Sequence, residues 1–266
     1  MSIGQPFTAI VLAGDRAPDD PVARMAEVSC KALVPVNGIP MVLRVLGALA
    51  DAQAIDRRIL CGPEWRTVEA NDELRRLVGS GAIGWHEAHA TPSVSAYTVI
   101  RSLPEDAPIL LVTADHALLH AQVIDYFCAA ARASRADVVV GLAAYDLVAH
   151  AYPTMRRTVL RFRDGGVCGC NLYAFSTARG RALIQFWSHV EGLRKRPVRL
   201  ISMLGWVTVV RFLCGRLSLR QALARLSQRL NLSIDVIMLP FPEAALDVDT
   251  VSDWELAQAI AGAKKS

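Results

Sequence analysis

The stretch Phe7-Thr-Ala-Ile-Val-Leu-Ala-Gly14 opens the chain with a continuous apolar run that stops at a glycine. An unbroken run of this length is typical of a strand that is buried on both faces of a parallel sheet. Pro108-Ile-Leu-Leu-Val-Thr-Ala114 repeats the pattern, and segments with helical spacing separate such runs. This alternation predicts an α/β fold, a three-layer sandwich with a mostly parallel central sheet.

The same patterns predict the remaining elements. Helical segments are expected to dominate residues 179–230 as an insertion, and residues 145–166 to be irregular or a hairpin. No repeat or linker interrupts the chain, so residues 1–266 are expected to form one domain. The other predicted strands are 57–61, 82–86, 136–143, 167–175 and 234–239, and the other predicted helices are 41–52, 69–78, 93–102, 117–134 and 251–263, the last capped by Thr250 or Ser252.

Composition narrows the class of protein. The 266 residues are 53% hydrophobic and 6% aromatic, which is typical of a folded chain rather than a disordered one. Six cysteines without a CxxC spacing favour reduced thiols in a cytoplasmic protein. The first apolar run is too short for a secretory leader, and the longest run, 200–215, is interrupted by Arg211 and too short for a bilayer span. We therefore expect a soluble, cytoplasmic protein.

The net charge is +4, and basic residues are concentrated between Arg194 and Arg229. Three interpretations stay open for this segment: peripheral membrane contact, a lid or dimer interface, or a packed helical insertion with solvated arginines. We expect no nucleic-acid partner, and the oligomeric state is not predicted.

Two predicted strand ends carry polar side chains suited to a ligand. Ligands of open parallel sheets bind beyond the carboxyl ends of the strands. Gly14 allows close approach of the backbone to a ligand, and the loop after it supplies Asp15, Arg16, Arg24 and Lys31. Its cations could neutralise phosphate groups, although the spacing fits neither a Walker A loop nor a dinucleotide fingerprint.

The second strand end reads Thr113-Ala-Asp115-His116. A carboxylate directly after a buried strand sits on a rigid backbone, as a magnesium ligand requires. The alternative is that Asp115 caps the helix predicted from Ala117. Position alone leaves both interpretations open.

Ile10-Val-Leu-Ala-Gly14, Arg24-Met25 and Cys30-Lys-Ala-Leu-Val-Pro-Val-Asn-Gly-Ile-Pro40 together resemble a known opening signature. It is that of the GT-A-type nucleotidyltransferases, the superfamily of MobA-like NTP transferases such as molybdenum-cofactor guanylyl- and cytidylyltransferases. The third stretch follows the family's Lys-x-Leu-x-Pro-x-x-Gly-x-Pro almost position for position. The resemblance implies a Rossmann-like GT-A fold and transfer of NMP from an NTP to a phosphorylated small-molecule acceptor, with release of pyrophosphate.

The resemblance also assigns roles near the nucleotide. It implies that Leu12, Ala13 and Gly14 contact the base and phosphates, and that Arg24 and Lys31 act catalytically on the triphosphate. Thr91-Pro-Ser-Val-Ser95 matches the family's helix start near the base or ribose, which implies that Ser93 and Val94 bind the nucleotide.

Metal binding is implied in the same way. Asp115 matches the family's metal-binding Asp, with Mg²⁺ (or Mn²⁺) as cofactor. Leu246-Asp-Val-Asp-Thr250 resembles the closing motif, so the second metal ligand is expected to be Asp247 or Asp249. Gly169-Cys-Asn171 resembles the Gly-x-Asn strand of related members.

Two other functions stay open, one because of departures from the family pattern and one because a glycosyltransferase can share this sheet architecture. The first loop is long and contains Asp15, Asp19 and Asp20, while Ala26 and Val251 replace a glycine and a proline. A non-catalytic nucleotide-binding protein is one alternative. A nucleotide-sugar-dependent glycosyltransferase is the other, which the absence of a central Asp-x-Asp motif disfavours.

The remaining candidate residues have plain interpretations. His116 and His120 are four apart and would share a helix face, but no third ligand completes a zinc site. His86 and His89 are expected at the surface or in a loop near the nucleotide. Cys168 and Cys170 alternate on a predicted strand, so both should face one side and pack in the core.

Overall fold

The computed structural model describes residues 5–15, 19–191 and 205–263. Its strands follow the predicted order, with short additions in the loops. The strands are β1 Phe7–Leu12, β2 Pro35–Val36, β3 Ile39–Pro40, β4 Ile55–Cys61, β5 Gly84–His86, β6 Ile109–Thr113, β7 Val138–Ala144, β8 Leu160–Phe162, β9 Gly165–Phe175 and β10 Ile234–Met238.

The first strand confirms that the opening stretch is buried on both faces. Ala9 and Val11 point into one hydrophobic core, and Ile10 points into the core on the other side of the sheet. Successive side chains of a strand alternate between faces, so a strand in this place needs apolar residues on both of its faces.

The main sheet has the strand order β10-β7-β9-β6-β1-β4-β5, with β8 added to β9. Parallel pairs join β6, β1, β4 and β5, and another joins β10 to β7. Strand β9 is antiparallel to both β6 and β7. The carboxyl ends of all strands except β9 therefore meet at one edge of this sheet, which we call the carboxyl edge.

Helices cover both faces and confirm the three-layer sandwich. Side chains of α2 and α6 contribute to one core, and those of α5 and α8 to the other. A third cluster joins α1 to α11 beside the sheet. The helices are α1 Pro21–Met25, α2 Met41–Asp51, α3 Trp65–Ala70, α4 Asp72–Gly79, α5 Pro92–Arg101, α6 Ala121–Ser134, α7 Tyr145–Ala151, α8 Ala178–Glu191, α9 Trp206–Leu213, α10 Leu219–Leu230 and α11 Val251–Ala263.

Three predicted boundaries were wrong. The long loop after Gly14 contains α1, which Asp20 caps by accepting hydrogen bonds from the backbone N–H groups of Val22 and Ala23. Helix α6 begins at Ala121 rather than Ala117. The segment expected to be irregular begins with α7. Helices α1 and α7 are short and pack into the hydrophobic clusters through Val22, Ala23 and Val148, and local periodicity does not report such tertiary contacts.

The helical insertion is present as α8, α9 and α10. The basic run 194–199 lies outside the described residues, whereas α9 and α10 lie within them. Within the described ranges, every helix is too short or too polar to cross a bilayer.

Candidate functional site

A cleft opens at the carboxyl edge of the sheet, where β1 and β6 end. It has a volume of about 680 Å³ including its open mouth, and a neighbouring lobe of about 620 Å³ shares part of its wall. Both volumes are in the range of small-molecule sites. Leu12, Gly14, Asp15 and Pro92 line both parts, so the two parts are lobes of one site.

The strand exit Leu12-Ala13-Gly14 forms the floor of the cleft, as predicted for a ligand-facing backbone. The backbone N–H of Ala13 donates to the carbonyl of Cys61 at 2.8 Å, and that of Ala114 donates to the carbonyl of Leu12 at 2.9 Å. These bonds join three adjacent strand exits into one rigid surface. A Cβ added to Gly14 would lie 2.7 Å from the Cβ of Ala88, so the backbone here has no room for a side chain.

Gly62 supports this floor from below. Its φ is +76°, and an added Cβ would lie 2.9 Å from the backbone nitrogen of Gly14. Both the left-handed conformation and the close approach require glycine.

We expect Gly62→Ala to lower the free energy of unfolding by about 1–3 kcal/mol, because the new methyl group meets backbone in a strained conformation. It should also weaken nucleotide binding, since the Gly14 backbone must shift. The matched control is Gly47→Ala, at a solvent-exposed position in the middle of α2 with open space around it. This variant should gain about 0.5–1 kcal/mol in free energy of unfolding. Urea titration of both variants measures this; equal stability of the two would contradict the proposed packing.

An ion-pair cluster lies at the mouth of the cleft. The Lys31 ammonium donates to Asp115 Oδ2 at 2.9 Å and to Asp249 Oδ1 at 2.6 Å. Burial alone would lower the pKa of Lys31, but the charges and hydrogen bonds of the two carboxylates outweigh it and raise the pKa. Lys31 is therefore fully charged at neutral pH. The side chains of Lys31 and Asp115 are 18% and 14% exposed, and that of Asp249 is 49% exposed, so solvent reaches the cluster from one side.

Hydrogen bonds of the backbone hold the segments that carry Asp115 and Lys31. Asp115 follows β6, and its carbonyl accepts from the N–H of Val248 at 3.0 Å. Asp15 Oδ1 accepts from the backbone N–H of Lys31 at 3.1 Å, at the start of the 3₁₀ turn Lys31–Leu33. The predicted cap of α11 is confirmed, since Thr250 Oγ1 accepts from the backbone N–H of Asp253 at 3.2 Å.

Asp247, the other carboxylate of the closing motif, has different partners. Its Oδ2 accepts from the Asn171 side-chain amide at 2.9 Å, and its Oδ1 pairs with the Arg157 guanidinium. The structure thus separates the two candidate second ligands: Asp249 is paired with Lys31 beside Asp115, whereas Asp247 is paired with Arg157 beside β9.

The second lobe lies at the start of α5, as the resemblance implies. Thr91 caps this helix by accepting from the Val94 N–H at 3.3 Å. Ser95 Oγ accepts from the backbone N–H of His89 at 2.8 Å, which ties the preceding loop to the helix. The lobe is lined by Thr91, Ser95 and His89, whereas Ser93 is buried in the first turn and, with Val94, lies outside the lining.

Arg24, the arginine predicted to act on the triphosphate, does not line the described cleft. Arg24 is exposed in the last turn of α1, and Arg16 lies outside the described residues. The cleft lining is instead acidic. Among the described residues that line the lobe at Lys31, Lys31 carries a positive charge and four residues carry carboxylates: Asp15, Asp20, Asp115 and Asp249.

Two interpretations of the neighbouring histidines and of Asp115 were wrong. His116 precedes α6, so His116 and His120 do not share a helix face. Burial lowers the pKa of His116 to about 4, so it is neutral at pH 7. Because α6 begins at Ala121 with no side-chain cap, Asp115 is not its cap. This removes the structural alternative for Asp115.

The buried thiols are chemically inert, as expected for core cysteines. Burial raises the pKa of Cys30 and Cys61 to about 11 and that of Cys170 to about 12. Cys168 and Cys170 both face the same core, which confirms the predicted strand register.

The cluster fits a magnesium ion in its choice of donors. Among the described residues, no three His, Cys, Asp or Glu side chains come together as a metal site. Mg²⁺ needs fewer protein ligands, usually one or two carboxylates completed by water and substrate phosphate oxygens. The carboxylates of Asp115 and Asp249 both lie within hydrogen-bonding distance of one Nζ atom, so a single cation at that position would reach both.

Sequence reasoning missed several residues that line or support the site. Asp20 and Ser95 line the cleft and Arg157 holds Asp247, although none of them was named as a site residue; His89, for which a loop position near the nucleotide was left open, also lines the cleft. Asp20 lies directly before Pro21, and residues with helical spacing follow. An Asp followed by a proline is a typical start of a helix, so this pattern could have predicted α1 and its cap.

Comparison with known proteins gives consistent results. The MobA-like NTP transferase domain matches residues 9–230. A search of curated proteins returned no match. Among solved structures, a hypothetical transferase from Thermus thermophilus has a TM-score of 0.77 and 27% identity, covering 94% of this chain and 99% of that chain.

Two more distant structures share the fold. CMP:2-keto-3-deoxy-manno-octonic acid synthetase, complexed with CTP, has a TM-score of 0.61 and 13% identity, over 97% of this chain and 99% of that one. 2-C-methyl-D-erythritol 4-phosphate cytidylyltransferase from Thermus thermophilus has a TM-score of 0.55 and 14% identity, over 97% and 99%. The family match covers most of the sequence, and its residues include most of the sheet and most of the cleft lining. The chain belongs to the MobA-like NTP transferase family.

Proposed function

We propose that this protein transfers a nucleoside monophosphate from an NTP to a phosphorylated small-molecule acceptor, releases pyrophosphate, and requires Mg²⁺ (or Mn²⁺). The observation that carries the proposal is the cluster of Lys31 between Asp115 and Asp249, placed at the end of the glycine-containing strand exit. Family membership supports nucleotidyl transfer in general. The acceptor class and the metal are our inference.

The two lobes suggest how the nucleotide lies. The lobe at the start of α5 offers hydroxyls and backbone groups around Thr91 and Ser95, suitable for a base and ribose. The lobe beyond Gly14 leads to Lys31. A nucleotide crossing the shared wall would have its base on one side of Gly14 and its triphosphate on the other, next to the ammonium group.

The acidic lining is the main argument for a metal cofactor. An anionic triphosphate entering beside four carboxylates would be repelled, and one lysine does not balance their charge. A divalent cation held by Asp115 and Asp249 would offset most of this excess negative charge. When bound, Mg²⁺ would neutralise phosphate oxygens and make the α-phosphorus more electrophilic.

Lys31 has two roles in this proposal. Its ammonium occupies the position from which a cation would reach both carboxylates, so Lys31 and the metal compete for the same two oxygens. Once released, the ammonium can turn towards the triphosphate and stabilise the charge on the leaving pyrophosphate. The acceptor oxygen would then bond to the α-phosphorus while the bond to the bridging oxygen breaks.

Basic residues on the other side of the cluster support a phosphorylated acceptor. Arg157 is held beside the closing motif through Asp247, and Asp247 is held in turn by Asn171. Exposed Arg156 adjoins it. Guanidinium groups suit a phosphate, and Arg157 contacts Asp247, two residues before Asp249 in the chain, so a phosphate bound here would lie near the reacting centre.

The test is pyrophosphate release with each of four nucleoside triphosphates against a panel of phosphorylated acceptors, with and without Mg²⁺. We expect release that requires metal, one preferred NTP and an acceptor. Tight nucleotide binding without release for any acceptor would favour a non-catalytic nucleotide-binding protein. Absence of both binding and release would overturn the proposal.

A further inference from the structure

Helix α9 exposes an unusual set of large apolar side chains. Trp206, Val210 and Leu213 are 64%, 54% and 76% exposed, and their spacing of four and three residues places them on one face of the helix. Soluble helices normally place their apolar face inward and their polar face outward. This outward apolar face, which we call the α9 face, therefore calls for a partner.

The opposite side of α9 is already packed against the protein. Thr208 accepts a hydrogen bond from Arg225 of α10 at 2.7 Å, and Phe212 makes an edge-to-face contact with Phe162 at 5.6 Å. Val209 is buried. The helix thus has its own intramolecular contacts, and its outward residues cannot turn inward without breaking them.

The chain segment that contains α9 and α10 carries charge of one sign. From Gly205 to Ile234 the chain contains five arginines and no acidic residue. Arg211, Arg216 and Arg220 are exposed in the same short segment. Exposed aliphatic and tryptophan side chains flanked by arginines match the boundary of a bilayer with anionic headgroups, where apolar residues enter and cations meet phosphates.

A second copy of this chain fits the face less well. In a twofold interface the same patch meets itself, so the arginines of one copy would face those of the other. Like charges brought together at an interface oppose association. An anionic surface, in contrast, attracts each of these arginines.

The α9–α10 junction is held beside the β8–β9 turn by two hydrogen bonds. The N–H of Arg163, in the β8–β9 turn, donates to the carbonyl of Leu217 at 2.9 Å, and Asp164 Oδ1 accepts from the N–H of Leu219 at 3.0 Å. This turn precedes Val167, which pairs with Ala144 at the carboxyl end of β7. The α9–α10 junction is thereby fixed at the carboxyl edge of the sheet.

We propose that the α9 face docks on the surface of an anionic lipid bilayer, with Trp206, Val210 and Leu213 inserted at the headgroup level. Docking would hold the carboxyl edge, and with it the cleft, near the membrane. The proposal does not depend on the reaction that the cleft performs.

Co-sedimentation without nucleotide tests it, using vesicles of phosphatidylcholine alone or mixed with phosphatidylglycerol. We expect the protein to pellet with the anionic vesicles only. Trp206→Ser combined with Leu213→Ser should lower the partition coefficient at least tenfold, because two large apolar side chains no longer insert. Arg211→Gln combined with Arg216→Gln should lower it several-fold and weaken its salt dependence.

The matched control is Trp65→Ser. Trp65 is another exposed tryptophan; it packs on Trp85, and its neighbours in the sequence include Glu64 and Glu69. This control should bind anionic vesicles like the wild type, and thermal melting should show that all variants are folded. Failure of the wild type to bind anionic vesicles would overturn the proposal, as would equal binding by the serine double variant. A dimer in solution that the same double variant dissociates would identify a second copy as the partner and also overturn it.

Discussion

Asp115→Asn is expected to lower kcat for nucleotidyl transfer by about a thousandfold while leaving the fold intact. The substitution keeps the size of the side chain but removes the charge that lies 2.9 Å from Lys31 at the end of β6. Without that charge the cleft loses its most rigidly placed candidate metal ligand. Steady-state kinetics at saturating Mg²⁺, with pyrophosphate release as the readout, measures the effect.

Asp56→Asn is the matched control for this variant. Asp56 is exposed near the amino end of β4, at the opposite edge of the sheet from the cleft. It should keep wild-type kcat and thermal stability. If Asp115→Asn kept more than about a tenth of the wild-type kcat, which is a change in barrier of under about 1.4 kcal/mol, its assignment as a metal ligand would be wrong.

Lys31→Met should have two opposite effects. The value of kcat/KM should fall about a hundredfold, because the ammonium no longer stabilises charge on the triphosphate. The affinity for Mn²⁺ in the absence of nucleotide should rise about tenfold, because Asp115 and Asp249 lose the internal cation that now pairs with both. Calorimetry or electron paramagnetic resonance of Mn²⁺ measures the second effect without any turnover.

Lys31→Arg separates charge from shape at the same position. It keeps a cation that can pair with both carboxylates, so Mn²⁺ should bind about as weakly as in the wild type. Unchanged Mn²⁺ affinity in Lys31→Met would show that the lysine and the metal do not share a site. Loss of activity in Lys31→Met would not decide whether the lysine and the metal share a site. Activity would fall in either case, because the lysine that binds phosphate is gone.

The apolar runs predicted most of the sheet because burial on both faces demands nearly continuous hydrophobic residues. Strands β1 and β6 were recognised from this pattern alone, and their order with helices between them indicated a parallel sheet. The pattern could not show that β9 lies antiparallel between β6 and β7. Strand direction depends on connections and neighbours rather than on the composition of the strand.

The site was predictable in part. Asp115 and Lys31 were identified from a strand end and a family motif, and both line the cleft. Arg24 and Val94 were named from the same motifs, yet they lie outside the lining of the described cleft. A motif reports that a residue type recurs at a position, but the direction of its side chain depends on the local backbone.

By itself, the sequence determined the buried strands, the strand ends that carry polar side chains, and the family signature around Lys31. These are local properties, set by the period of a strand or a helix and by neighbouring residues. Only the tertiary structure decided that Asp249, rather than Asp247, pairs with Lys31 beside Asp115, because that contact spans 218 residues of chain. It also decided that the apolar side of α9 faces outward. Contacts between distant segments depend on how the whole chain packs, and local patterns do not encode that.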